Sequence, residues 1–167
     1  MGDVIPVALL VERLGSPDAD VRLTAADMLG RAGELASAAA MHLVRACGDA
    51  DERVREAVVA ALEDLGPPPS GDVPGLAAIA AAAGPLEAYW AATLLGRLGG
   101  GAAAAVPVLT TCVESAGDIA VRERAAWALG RIGPAAAAAR EQLLRVAATG
   151  EPRLKRLVDE ALAAIGR

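Results

Sequence analysis

Apolar residues return every third or fourth position in four stretches of this 167-residue chain. The first is Val21, Ala25, Met28, Leu29 and Ala32, and the second is Val54, Val58, Leu62 and Leu65. The third is Val121, Ala125, Leu129 and Ile132, and the fourth is Leu154, Val158, Leu162 and Ile165. This spacing predicts amphipathic helices, each with one buried stripe. The stripes close on a glycine, and Gly33, Gly66, Gly99, Gly133 and Gly166 follow one another at 33, 33, 34 and 33 residues. A fixed period of that length is the mark of stacked helical units, each burying its face against the next.

The polar positions repeat with the same period. Asp18, Asp51, Asp118 and Glu151 each stand three residues before a stripe, where an acidic side chain can cap free N–H groups at the positive helix end. Arg22, Arg55, Arg122 and Lys155 follow the first stripe residue, so that an acid of one unit is placed to pair with a cation of the next. The closing glycines suit a left-handed C-cap, and Pro67 and Pro134 stop the helix behind two of them. Shorter, blander helices are predicted between the stripes, over Val4 to Leu14, Leu35 to Cys47, Val73 to Ala83, Ala102 to Ser115 and Ala135 to Ala148. Pro6, Pro74 and Pro107 lie near three of their starts, where a missing N–H is tolerated. The segment GPPPSG, Gly66 to Gly71, is the longest punctuation and reads as a joint or a long turn.

Composition narrows the picture. The chain is 54% apolar but only 2% aromatic, and alanine supplies much of the difference. Small side chains imply closely approaching helices and a thin core. A formal net charge of −5 argues against nucleic-acid binding, which needs a basic footprint. The longest uncharged stretches, Val73 to Leu86 and Leu98 to Val113, are too short and too rich in Ala and Gly to span a bilayer. No basic and apolar leader follows Met1, and Cys47 and Cys112 form no CxxC pair, so a reduced, cytoplasmic setting is expected.

The phrases DADVRLTAADMLGRAG, DERVREAVVAALEDLG and DIAVRERAAWALGRIG carry the pattern Asp-x-x-Val-Arg-x-x-Ala-x-x-x-Leu-Gly-x-x-Gly. That pattern resembles HEAT repeats, specifically the short bacterial kind also called phycobilisome-lyase-type HEAT-like repeats. The first and fourth units match throughout, while the second substitutes Val58 and Glu63. The third departs most, with Gly84, Glu87 and Ala88 at the Asp, Val and Arg positions, and the fifth keeps Leu162 and Gly166. The resemblance implies an all-α fold: a right-handed α-solenoid of five helix pairs in one domain, residues 1–167. The repeats fall at about 1–33, 34–66, 67–99, 100–133 and 134–167. Function does not follow from the fold, because such repeats serve unrelated roles.

The resemblance also implies that the second helices line the concave face. Residues off the stripe then align in columns, among them Leu23, Glu56, Tyr89, Glu123 and Arg156. The next columns read Asp27, Ala60, Thr93, Trp127 and Glu160, then Arg31, Asp64, Arg97, Arg131 and Ala164. Tyr89, Thr93, Arg97, Glu123, Trp127 and Arg131 form the candidate binding patch, because aromatic and arginine side chains anchor interfaces. Trp90 is assigned to packing, as are Cys47 and Cys112. The recurrence of the Asp and Arg series marks it as structural.

Enzymatic readings find little purchase. His42 is the only histidine, so a His-rich iron hydroxylase on HEAT-type repeats is excluded. A HEAT-like DNA glycosylase would need a basic face, and Glu56, Asp64, Glu123 and Glu160 line this one. Bilin lyases of the phycobilisome type share the repeat, but no residue here specifies tetrapyrrole chemistry. With no phosphate loop, triad or metal cluster, no catalytic residue, metal or cofactor is assigned. The leading expectation is a non-catalytic scaffold or adaptor that holds a protein or peptide, with neither a nucleic acid nor a membrane as partner. The alternative is a small-molecule binder or unconventional enzyme using the same groove. End-to-end self-association is a third expectation, since the apolar run Val4, Ile5, Val7, Leu9 and Leu10 and the abrupt end at Arg167 leave both ends of the stack uncapped.

Overall fold

The computed structural model describes residues 6–166. Among them are ten α-helices and no strand. The chain divides into two compact units, Met1–Pro69 and Ser70–Arg167, and the division falls within GPPPSG. In the first unit, α1 (Val7–Leu14) packs on α2 (Ala19–Ala32), and α3 (Ala40–Ala46) packs on α4 (Glu52–Asp64). The second helices α2 and α4 lie side by side. Leu10, Ala25, Leu29, Leu43, Val54, Val58 and Leu62 fill the space between these helices.

The second unit repeats the plan three times. The pairs are α5 (Val73–Ala82) with α6 (Pro85–Arg97), α7 (Val106–Ser115) with α8 (Ile119–Ile132), and α9 (Arg140–Thr149) with α10 (Pro152–Ile165). Helix α8 packs between α6 and α10. Leu76, Leu94, Leu109, Leu129, Leu143 and Leu154 are fully buried, each contributing roughly 1.5–3 kcal/mol through lost contact with water. The stripe residues of α4, α8 and α10 are buried almost without exception, as their spacing requires.

Helix starts follow the sequence expectation where aspartate is present. Asp18 accepts from the Asp20 N–H, Asp51 from Arg53, and Asp118 from Ala120 and Val121. Glu151 makes no such bond, and Gly84 takes the place of a cap on α6. The arginine series is aimed at backbone carbonyls rather than at cap acids. Arg22 donates to the carbonyls of Ser16 and Pro17, Arg55 to those of Asp49 and Ala50, and Arg122 to that of Val113. One true inter-repeat pair joins this series, since Arg22 also grips Asp49 through two bonds of 2.7 and 2.8 Å. Lys155 instead pairs with Asp159 on its own helix.

Two expectations need correction. Three of the first helices do not begin as α-helix: Gly33–Ala39, Gly99–Ala105 and Gly133–Ala139 are 3-10 turns that lead into α3, α7 and α9. Buried alanines recur there every third residue, as Ala36 and Ala39, Ala102 and Ala105, and Ala136 and Ala139. Three residues per turn is the 3-10 period, and only small side chains stack well in it. The closing glycines also differ among themselves. Only Gly33, Gly99 and Gly133 have positive φ. With ψ near −127° and −137°, Gly33 and Gly133 adopt the mirror image of extended backbone rather than the left-handed helical cap. Gly66 and Gly166 lie outside the positive region, and α4 ends in extended backbone at Leu65.

A second glycine has a clearer purpose than the closing one. Gly30, Gly96 and Gly130 each follow a leucine inside α2, α6 and α8 and let the next second helix come close. A Cβ at Gly30 or Gly130 would stand 3.4 or 3.1 Å from the Cα of Ala61 or Ala161. Of the N-terminal apolar run, Val4 and Ile5 lie outside the described residues, as does Arg167. Leu10 is buried, Val7 is half-buried and Leu9 is exposed.

Candidate functional site

Tyr89, Thr93, Arg97, Glu123, Trp127 and Arg131 all belong to α6 and α8 of the second unit, but they do not form one surface. Thr93 is buried, and its hydroxyl donates to the Tyr89 carbonyl one turn back on the same helix. It lines neither of the two depressions described below. Arg97 is half-buried and lies over the Trp90 ring at 5.9 Å. Trp90 itself is buried and meets Tyr89 edge-on, with ring centroids 5.7 Å apart. Packing was therefore the right assignment for Trp90.

The centre of the site is a residue outside that set. The Arg124 guanidinium lies over the Tyr89 ring at 4.5 Å and over the Trp127 ring at 4.9 Å. It also donates to the Tyr89 hydroxyl. Each cation–π contact is worth about 0.5–2 kcal/mol, depending on how dry it is. Arg124 stands one helical turn before Trp127 on α8, so the i, i+3 relation was available as a signal. What the sequence concealed was the register across helices that brings Tyr89 of α6 beneath it.

Trp127 has a prepared seat. A Cβ on Gly96 would lie 2.9 Å from Trp127 Cε3 and 3.1 Å from the Ala128 Cα, so only glycine leaves room for the indole on α6. On the other side, the half-buried Leu157 of α10 helps line the space around Trp127. Glu123 projects beside them, with its side chain 12% exposed, and pairs with Arg153 of α10 at 3.1 Å. Tyr89, Glu123, Arg124, Trp127, Arg153 and Leu157 together line a depression of about 350 Å³. Arg131 lies elsewhere: it lines a second depression of about 200 Å³ that shares Trp127 and Leu157 and includes Glu160 and Ala164. Trp127 thus divides the face into two hollows, and three of the six expected residues line the larger one.

Electrostatics tie Arg97 to this cluster. Burial lowers its affinity for a proton, and the nearby positive charge of Arg124 lowers it further. Away from this face, the Cys112 thiol donates to the Ala80 carbonyl, and burial pushes its pKa above the ordinary thiol value. Among the described residues, no cluster of three His, Cys, Asp or Glu side chains is placed to hold a metal, and no helix is long and apolar enough to cross a membrane.

Comparison with known proteins bears on the fold. The family model for HEAT repeats matches residues 7–82. HEAT repeats are thus identified over residues 7–82. No curated protein matches the sequence. Several solved structures share the fold. A designed armadillo repeat protein in complex with the peptide (KR)4 aligns with a TM-score of 0.68 at 16% identity, covering 95% of this chain and 81% of that one. An engineered protein from a structural genomics consortium gives 0.66 at 23% identity, covering 96% and 79%. The complex of CpcE and CpcF of phycocyanin lyase from Nostoc sp. PCC7120 gives 0.62 at 19%, covering 95% and 99%. At such identities the likeness concerns the fold: this is an armadillo/HEAT-type repeat architecture. HEAT repeats of this kind suit binding scaffolds.

Proposed function

We propose that this HEAT-repeat chain is a non-catalytic binding module, a cytoplasmic scaffold or adaptor that holds a protein or peptide on the face formed by α6, α8 and α10. The observation that carries this reading is the Tyr89–Arg124–Trp127 stack. In a chain with one Tyr and two Trp, two of the three aromatics flank a single surface hollow. Rigid aromatic and arginine side chains around a hollow are the usual anchors of interfaces. A designed armadillo protein of the same fold is known in complex with a peptide, which supports the class of ligand. The buried thiols of Cys47 and Cys112 support a reducing compartment.

The test is selection of a random peptide library on the wild-type protein, followed by binding of the selected peptides to Trp127→Ala and Arg131→Glu. Loss of binding in both variants, with far-UV circular dichroism unchanged, is the expected result. Equal binding to wild type and both variants contradicts the proposal.

A second reading has one specific observation in its favour. Tyr89, Glu123 and Trp127 do converge on a hollow of about 350 Å³, which lies within the size range of small-molecule sites. A small-molecule binder or unconventional enzyme would use that same hollow. A thermal shift with a metabolite, abolished by Trp127→Ala, distinguishes it from the peptide reading.

A further inference from the structure

The same hollow has a chemical preference. Its two aromatic faces already carry a cation of the chain itself, because Arg124 lies over both rings. A lysine or arginine from a ligand would have to displace Arg124 to reach them. A guanidinium stacked through its flat faces keeps its in-plane N–H groups for hydrogen bonds. One of those goes to the Tyr89 hydroxyl. Among the described residues, no carboxylate forms an ion pair with Arg124.

The neighbouring charges set the size of the anion. Among the side chains that line the hollow, Glu123 and Arg153 neutralise each other, so Arg124 leaves the lining with a single net positive charge, Arg97 standing outside it. A phosphate, at about −1.5 to −2 near neutral pH, would overcompensate it beside Glu123. A carboxylate matches both the charge and the planar fork of the guanidinium. Leu157 and Trp127 supply apolar wall for the carbon atoms next to it.

We infer that the hollow captures one carboxylate of a bound peptide, which Arg124 holds through its free in-plane N–H groups while Tyr89 and Trp127 keep the guanidinium in place. This rests on the peptide-binding reading above. The carboxylate has two sources, an Asp or Glu side chain or a peptide C-terminus.

One experiment separates these sources and tests the inference. A random peptide library is selected on the wild-type protein in two formats, with peptide C-termini free or fused to a carrier. Enrichment of Asp or Glu at one position in the fused format identifies a side-chain carboxylate. Enrichment confined to the free format identifies a terminal one. In either case Arg124→Gln weakens the selected peptides by about tenfold or more, the loss expected for a charged hydrogen-bonding partner. Arg124→Lys, which keeps the charge but not the fork, weakens them less. Selected peptides that lack a common carboxylate, or that bind Arg124→Gln as well as wild type, overturn the inference. If those peptides still depend on Trp127, the binding-module reading stands while the carboxylate falls. If neither format selects any peptide, the binding-module reading itself falls, and the inference with it.

Discussion

At the scale of single residues, glycine divides into kinds that look alike in the sequence. Gly99 closes α6 with φ at +55°, whereas its neighbour Gly100 has ordinary φ and nothing within 4 Å of a would-be Cβ. Gly99→Ala should therefore cost about 1–3 kcal/mol in strained backbone. Gly100→Ala should be neutral or stabilise by up to about 1 kcal/mol, by restricting the unfolded chain. Urea unfolding of the two variants checks this directly, and equal midpoints would contradict it. The same scale explains the uneven reading of the site. Tyr89 and Trp127 stood out because aromatics are scarce, and both do line the hollow. Thr93 occupies the same helical column as Trp127, yet its neighbours Ala92 and Leu94 are buried with it because α6 packs against helices on several sides. A face read from one helix cannot reveal that. Arg124 was passed over because its importance lies in what stacks on it from another helix.

At the scale of elements, short motifs were legible where their chemistry is local. An aspartate cap bonds an N–H two residues ahead in the chain, so Asp18, Asp51 and Asp118 could be read from sequence alone. Asp118→Ala should cost about 1 kcal/mol. Glu151→Ala, which removes no cap bond, should cost far less, as thermal denaturation of the two variants would show. The 3-10 turns were missed because a run such as AAAAA offers no contrast of polar and apolar positions. The three-residue burial period becomes visible only once neighbouring helices are in place. The Arg22–Asp49 pair was likewise hidden, being 27 residues apart in the chain. The bonds from Arg22 hold the Asp49 carboxyl below its ordinary value. A carboxyl whose folded value is depressed contributes stability at neutral pH, and loses it as pH falls from the ordinary value of about 3.9 towards the lower folded one. Asp49→Asn should therefore be less stable than wild type at pH 7, and the gap should narrow in strong acid. A gap independent of pH would show that the ion pair is not its source.

At the scale of the whole molecule, the repeat period was the strongest signal, because every unit must bury the same face against its neighbour. That requirement fixed the all-helical repeat architecture, and HEAT repeats over residues 7–82 agree with it. Period carries no information about ligands. What recurs, the caps, the Arg contacts to backbone carbonyls and the interior glycines, holds the helices together. What occurs once, Tyr89 and Trp127 with Arg124 between them, sits on the exposed side of the second helices. On the proposed function this single exception is a binding surface. Its most direct test is the dissociation constant of a library-selected peptide for wild type and for Trp127→Ala. At least a tenfold weaker complex is expected for the variant, the loss of an interface anchor of about 2 kcal/mol or more. Equal affinity for the two proteins would contradict it.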